Sequence, residues 1–119
     1  MKTGNLERVR QVLADAHRIL LTTHVNPDGD GLSSELALAR FLDLSGKEVR
    51  IVNRDPVPEI FAFLPGADRI QRSDRLPADT DLVVVLDCGG LERSGLKVED
   101  GADPKVVVID HHLTDDHDG

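Results

Sequence analysis

Leu82-Val83-Val84-Val85-Leu86-Asp87 is the stretch that decides how this chain folds. An unbroken apolar run, rich in β-branched residues, ends on one carboxylate. Runs of this length and composition read as strands buried on both faces, as in a parallel sheet. Two more segments share the pattern. Ile19-Leu20-Leu21 leads into His24, Asp28 and Asp30, and Val106-Val107-Val108-Ile109 ends on Asp110, His111 and His112. In an open α/β sheet, ligands gather outside the carboxyl ends of the strands. Three distant segments therefore bring oxygen and nitrogen ligands to one edge, which points to a metal centre and to two metals.

The remaining segments supply helices and turns. Leu6, Val9, Val12, Leu13 and Ala16 recur at helical spacing, which predicts an amphipathic first helix capped by Asn5. A strand over 18–23 follows, then a polar turn with Pro27, Gly29 and Gly31. A second helix runs from about Gly31 to Leu44, with Leu32, Leu36, Ala39 and Leu42 as its apolar stripe and Gly46 as its stop. A second strand covers Glu48–Asn53, and a short helical piece covers Glu59–Leu64. Residues 67–80 read as polar connection with Ile70 a possible anchor. The third strand spans about 81–87, and residues 91–104 form turn and short helix. The fourth strand spans about 105–110. The expectation is an α/β, Rossmann-like parallel sheet of about four strands, ordered 2-1-3-4, with helices on both faces.

Composition narrows the classes. The chain has 119 residues, enough for one core. Three Phe and no Trp or Tyr leave little for a base-stacking platform. A net charge of −8 repels phosphate backbones unless it is locally neutralised, so a phosphate ester would need bound metal or another domain. The single cysteine, Cys88, rules out an internal disulfide framework and suits a reducing compartment. Met1 to Arg10 has no apolar core of signal-peptide length and no run approaches roughly 20 apolar residues, so a cytoplasmic chain without membrane contact is expected.

Each candidate ligand also has a plainer role. Asp28 or Asp30 could cap the second helix without any metal. Asn26, Asp28, Asp30 and Gly31 match the start of a calcium loop, but the bidentate acid would fall at Ala37, so that loop is rejected. Asp87 ends an apolar strand, where a carboxylate needs a partner. It could cap the Gly89-Gly90 turn, or bridge two metals. Cys88 reads as a small buried residue, and His117 as solvated. At the end of the fourth strand, one of His111 and His112 could ligate metal while the other orients phosphate or a proton. Histidine and carboxylate without thiolate suit Mn or another divalent first-row ion better than structural zinc.

His24-x-Asn26-Pro27-Asp28-Gly29-Asp30, then Asp87, then Asp110-His111-His112 resemble the DHH phosphoesterase superfamily. Phe63-Leu64-Pro65-Gly66 and Asp87-Cys88-Gly89-Gly90-Leu91-Glu92-Arg93-Ser94-Gly95 resemble its oligoribonuclease and phosphoadenosine-phosphate phosphatase (nanoRNase-like) branch. The resemblance implies that His24, Asp28 and Asp87 hold one Mn2+, and Asp30, Asp87 and His111 the other. His112, with Asp110, would serve the scissile phosphate or proton transfer. Arg93 and Ser34 are weaker candidates for substrate contact, against the plainer readings of a surface arginine and a helix-start serine. Mg2+ or Co2+ could replace Mn2+.

The same resemblance implies that residues 1–119 are the N-terminal part of a DHH catalytic domain. A later strand with a further metal-binding Asp, and a C-terminal substrate-binding domain, would lie outside them. The second metal would then lack a ligand, and the chain alone is expected to be inactive. Position 31 also departs from the pattern: Gly31-Leu32-Ser33-Ser34 stands where the family usually has Ala-x-Gly-Ser. The expected function is Mn-dependent hydrolysis of short oligonucleotides or nucleotide phosphates by two metals. The rivals are a family II inorganic pyrophosphatase-like enzyme and a truncated, non-catalytic metal- or nucleotide-binding module.

Overall fold

The apolar runs and their neighbours form strands β1 (Arg18–Thr22), β2 (Glu48–Asn53), β3 (Ile70–Arg72), β4 (Leu82–Leu86) and β5 (Lys105–Ile109). They build one parallel sheet in the order β3-β2-β1-β4-β5. The structure is a computed structural model that describes residues 3–86, 90–98 and 104–109. The expected order of the four apolar strands holds. The correction is the fifth strand, β3, within the stretch read as connection. Its three residues carry one apolar side chain, Ile70, too few for any periodicity. Its strand character comes from backbone pairing with β2, with Ile51 opposite Ile70.

Among the described residues two α-helices accompany the sheet, α1 (Thr3–Asp15) and α2 (Gly29–Leu44). Helix α1 begins before Asn5, so Asn5 lies inside it rather than capping it. A capping preference of about 1 kcal/mol does not override a helix with a packed face. At the end of α2 the Gly46 N–H donates to Asp43 O at 3.0 Å and the Lys47 N–H to Leu42 O at 3.1 Å. Gly46 sits at φ 82°, as this two-bond helix ending requires.

Both α-helices pack on one face of the sheet. Val12 and Leu13 of α1 and Ala39 and Leu42 of α2 meet Ile19, Leu21, Leu82 and Val84. The opposite face, with Leu20, Val52, Val83 and Val85, is covered by a 3-10 helix at Leu91–Ser94 together with Leu76 and Leu96. The expected helix on that face is thus a 3-10 turn among the described residues. The connection there is broken by Gly89, Gly90, Gly95, Gly101 and Pro104, which disfavour a longer α-helix. β4 is buried along its whole length, as its unbroken apolar run predicts.

Candidate metal centre

β1 lies between β2 and β4, so the chain builds one side of the sheet through β2 and β3 and crosses to the other side at β4. In open α/β sheets such a reversal marks the carboxyl edge where ligands bind, and the loop that follows β1 lies at that edge. The loop is held from several sides. The Val25 N–H donates to Arg93 O at 3.1 Å, and the Asn26 N–H to Asp55 Oδ2 at 2.8 Å. Asn26 adopts φ 55°, a left-handed conformation that asparagine accepts better than most side chains. Pro27 is buried behind it.

His24 and Asp28 face each other across this loop. His24 Nδ1 lies 2.7 Å from Val25 O. A carbonyl only accepts, so Nδ1 carries the proton, and in the neutral ring Nε2 presents a lone pair. Nε2 lies 3.7 Å from Asp28 Oδ2. A nitrogen and an oxygen lone pair this close make a candidate pair of cation ligands. A histidine whose second nitrogen is tied to a backbone carbonyl is also the usual form of a metal-bound imidazole.

The capping role and the ligand role of Asp28 turn out to be compatible. Asp28 is the N-cap of α2, and its Oδ1 accepts from the Gly31 N–H at 2.8 Å. The cap uses one carboxylate oxygen and leaves Oδ2 on the His24 side. Asp30 sits in the first turn of α2, exposed, where a negative charge also suits the helix dipole. Among the described residues no third His, Cys, Asp or Glu joins His24 and Asp28 in a metal-holding group. Asp87, Asp110, His111 and His112, with Cys88 and His117, lie outside the described residues. The strands that precede them in sequence, β4 and β5, end in register with Leu86 opposite Ile109.

The weaker candidates separate. Arg93 is exposed on the 3-10 helix, beside the loop that its carbonyl holds. Ser34 is exposed on α2, and no hydrogen bond ties it to the His24 loop among the described residues.

Close packing fixes the acidic turn. A Cβ at Gly29 would meet the Phe61 ring at 3.2 Å, so that ring buttresses the turn between Asp28 and Asp30. A Cβ at Gly31 would stand 2.7 Å from Thr23 Oγ1, and the hydroxyl would have to turn away. The glycine at this position thus lets α2 press directly on the end of β1.

A family model described as the DHH family, N-terminal domain, matches residues 18–118. The chain is 37% identical over 97 residues to the bifunctional oligoribonuclease and PAP phosphatase NrnA of Thermus thermophilus, covering 81% of this chain and 28% of that protein. The chain belongs to the DHH family. Its fold is similar to the crystal structure of an exopolyphosphatase-related protein from Bacteroides fragilis. That match has a TM-score of 0.79 and 26% identity, over 94% of this chain and 36% of the other. The chain thus spans about a third of the length of these relatives. No described helix is long and apolar enough to cross a membrane.

Sequence reasoning missed Glu35, Asn53 and Asp55. Glu35 falls three residues after Leu32 and four before Ala39, inside the buried stripe of α2, and it is fully buried. A charged residue at a stripe position is a legible signal. Burial pushes its carboxyl up to about 8, against the opposing bond from Asn53. Asn53 and Asp55 carry no such mark, because their roles depend on where β2 ends relative to β1.

Proposed function

We propose that this chain is the N-terminal part of a DHH catalytic domain whose whole protein is a cytoplasmic, Mn-dependent phosphoesterase. Its substrates would be short oligoribonucleotides or nucleotide phosphates such as PAP. The observation that carries the reading is the His24–Asp28 pair, two acceptor atoms 3.7 Å apart within the family match. A divalent ion there would act as a Lewis acid, offsetting phosphoryl charge and making water a competent nucleophile near neutral pH. His24 and Asp28 would hold one ion with Asp87, and Asp30, Asp87 and His111 a second. His112 and Asp110 would serve proton transfer at the phosphate. Arg93 and Ser34 would contact substrate.

Phosphoanhydride hydrolysis is the second reading, favoured by the exopolyphosphatase-related neighbour. The test is calorimetric titration of the chain and its Asp28→Asn variant with Mn2+. A full-length protein carrying residues 1–119 would then be assayed on a diribonucleotide, PAP and pyrophosphate, with and without chelator. The expected result is saturable Mn2+ binding lost in the variant, and chelator-sensitive turnover of the diribonucleotide or PAP. Turnover of pyrophosphate alone supports the second reading. Equal Mn2+ binding by both proteins overturns the assignment of Asp28.

A further inference from the structure

Beneath the candidate metal centre, the buried polar residues form one connected set that the metal reading does not use. Asn53 Nδ2 donates to Glu35 Oε1 at 2.8 Å. Asn53 Oδ1 accepts from the Thr23 N–H at 3.2 Å and from the Thr22 hydroxyl at 3.3 Å. Thr23 Oγ1 donates to Leu86 O at 2.7 Å. A backbone N–H can only donate, so the Thr23 bond fixes which end of the Asn53 amide is oxygen, and the other end must find an acceptor. Glu35 supplies it. The bonds run from α2, through the last residue of β2, to the ends of β1 and β4. Thr23 directly precedes His24, and Leu86 directly precedes Asp87.

Packing alone does not account for a carboxyl here. The other buried positions of the α2 stripe are glycine or apolar. Glu35 Oε2 has no hydrogen-bond partner among the described residues, a standing cost in stability. An apolar side chain at position 35 would avoid that cost but leave the Asn53 amide N–H unpaired. Buried networks of this kind restrict the backbone to one arrangement.

We propose that Asn53, oriented by Glu35, is a positioning residue for His24. It fixes the backbone from which His24 leaves β1, and so the Nδ1 contact with Val25 and the approach of Nε2 to Asp28. This deepens the metal-centre reading and rests on it only where cation affinity is measured.

The test exchanges the two polar groups. Asn53→Asp removes the amide donor, and at a pH above about 8, where the Glu35 carboxyl also ionises, it sets two charged carboxyl groups against each other. Adding Glu35→Gln returns a donor, now running from position 35 to position 53, while the Thr22 and Thr23 bonds keep their acceptor. The first readout is the pair of His24 ring nitrogen signals in the metal-free chain, at one pH above about 8, where Glu35 is ionised, and at a temperature where each variant is folded. The second is Mn2+ affinity by calorimetry. Asn53→Asp is expected to raise the share of ring protonated at Nε2 and to weaken Mn2+ binding about tenfold, the lower end of what outer-sphere partners of metal ligands contribute. The double variant should restore both.

Leu42→Ala, which opens a cavity elsewhere on α2, should lower the melting temperature and leave the ring signals unchanged. Ring signals unmoved by Asn53→Asp, moved equally by Leu42→Ala, or not restored by the double variant would overturn the proposal. If Asn53→Asp does not fold, Thr22→Val removes one bond to the same amide oxygen. It should move the signals in the same direction by less, and no movement would equally overturn the proposal. Ring signals that follow the expected pattern in a chain that binds no Mn2+ would keep the positioning role and refute the metal reading.

Discussion

Replacing Glu35 with Gln should flatten the dependence of folding stability on pH. The Glu35 carboxyl is raised from 4.5 to about 8, chiefly by burial. In the unfolded chain it ionises near its ordinary value. Between these two values the native state therefore holds a proton that the unfolded state has lost, and stability falls as pH rises. The protonated group's stabilisation is complete below about pH 4.5 and is lost progressively up to about pH 8. A shift of this size, at about 1.36 kcal/mol per pKa unit, corresponds to a loss on the order of 4–5 kcal/mol. That is a large share of the roughly 5–15 kcal/mol that holds a domain together. The glutamine amide keeps an oxygen for the Asn53 N–H and carries no charge at any of these pH values. Urea unfolding of both proteins at intervals from pH 5 to pH 8 measures the difference. The wild-type midpoint should fall across this range and the variant's should change much less. Parallel curves would refute the reasoning, because they would mean that the carboxyl is already ionised and solvated in the native state.

Other perturbations separate further contributions. Asp28→Ala should cost about 0.5–2 kcal/mol of stability through the lost cap, while Asp28→Asn should cost little, since asparagine caps as well as aspartate; thermal melts of the metal-free proteins compare them. Gly95→Ala should destabilise by about 1–3 kcal/mol, because position 95 holds φ 76° and an added Cβ would collide with Arg54 Cδ and crowd Val25; denaturant unfolding reads this. Asp81 accepts the backbone N–H groups of Arg18 and His17 at 2.9 and 3.1 Å, which holds its carboxyl below the usual range. That stabilisation is present above the ordinary carboxylate pKa and lost as pH falls through the lowered one. Asp81→Asn should therefore reduce the acid sensitivity of the wild type, opposite in sign to the Glu35 effect.

The four apolar strands were legible in the amino-acid sequence for one reason, and their order followed from the doubly wound pattern. A parallel strand buried on both faces must be a short apolar run, so Leu82–Leu86 announces itself without any partner in view. That His24 and Asp28 act together was implied only by the family resemblance; the sequence itself placed both in one loop, where Pro27 and the start of α2 restrict the path. What lay beyond the sequence depends on contacts between segments far apart in the chain. β3 exists because its backbone pairs with β2. Asp28 acts as cap and candidate ligand together because its two oxygens point to different groups, a matter of geometry that residue type does not encode. The Glu35–Asn53–Thr23 network spans α2, β2 and β1, and its hydrogen bonds form only once the sheet order sets the end of β2 beside the end of β1. Local propensity and burial pattern determine elements one at a time. Which polar atoms meet at the carboxyl edge is decided by register and packing, and these belong to the folded chain as a whole.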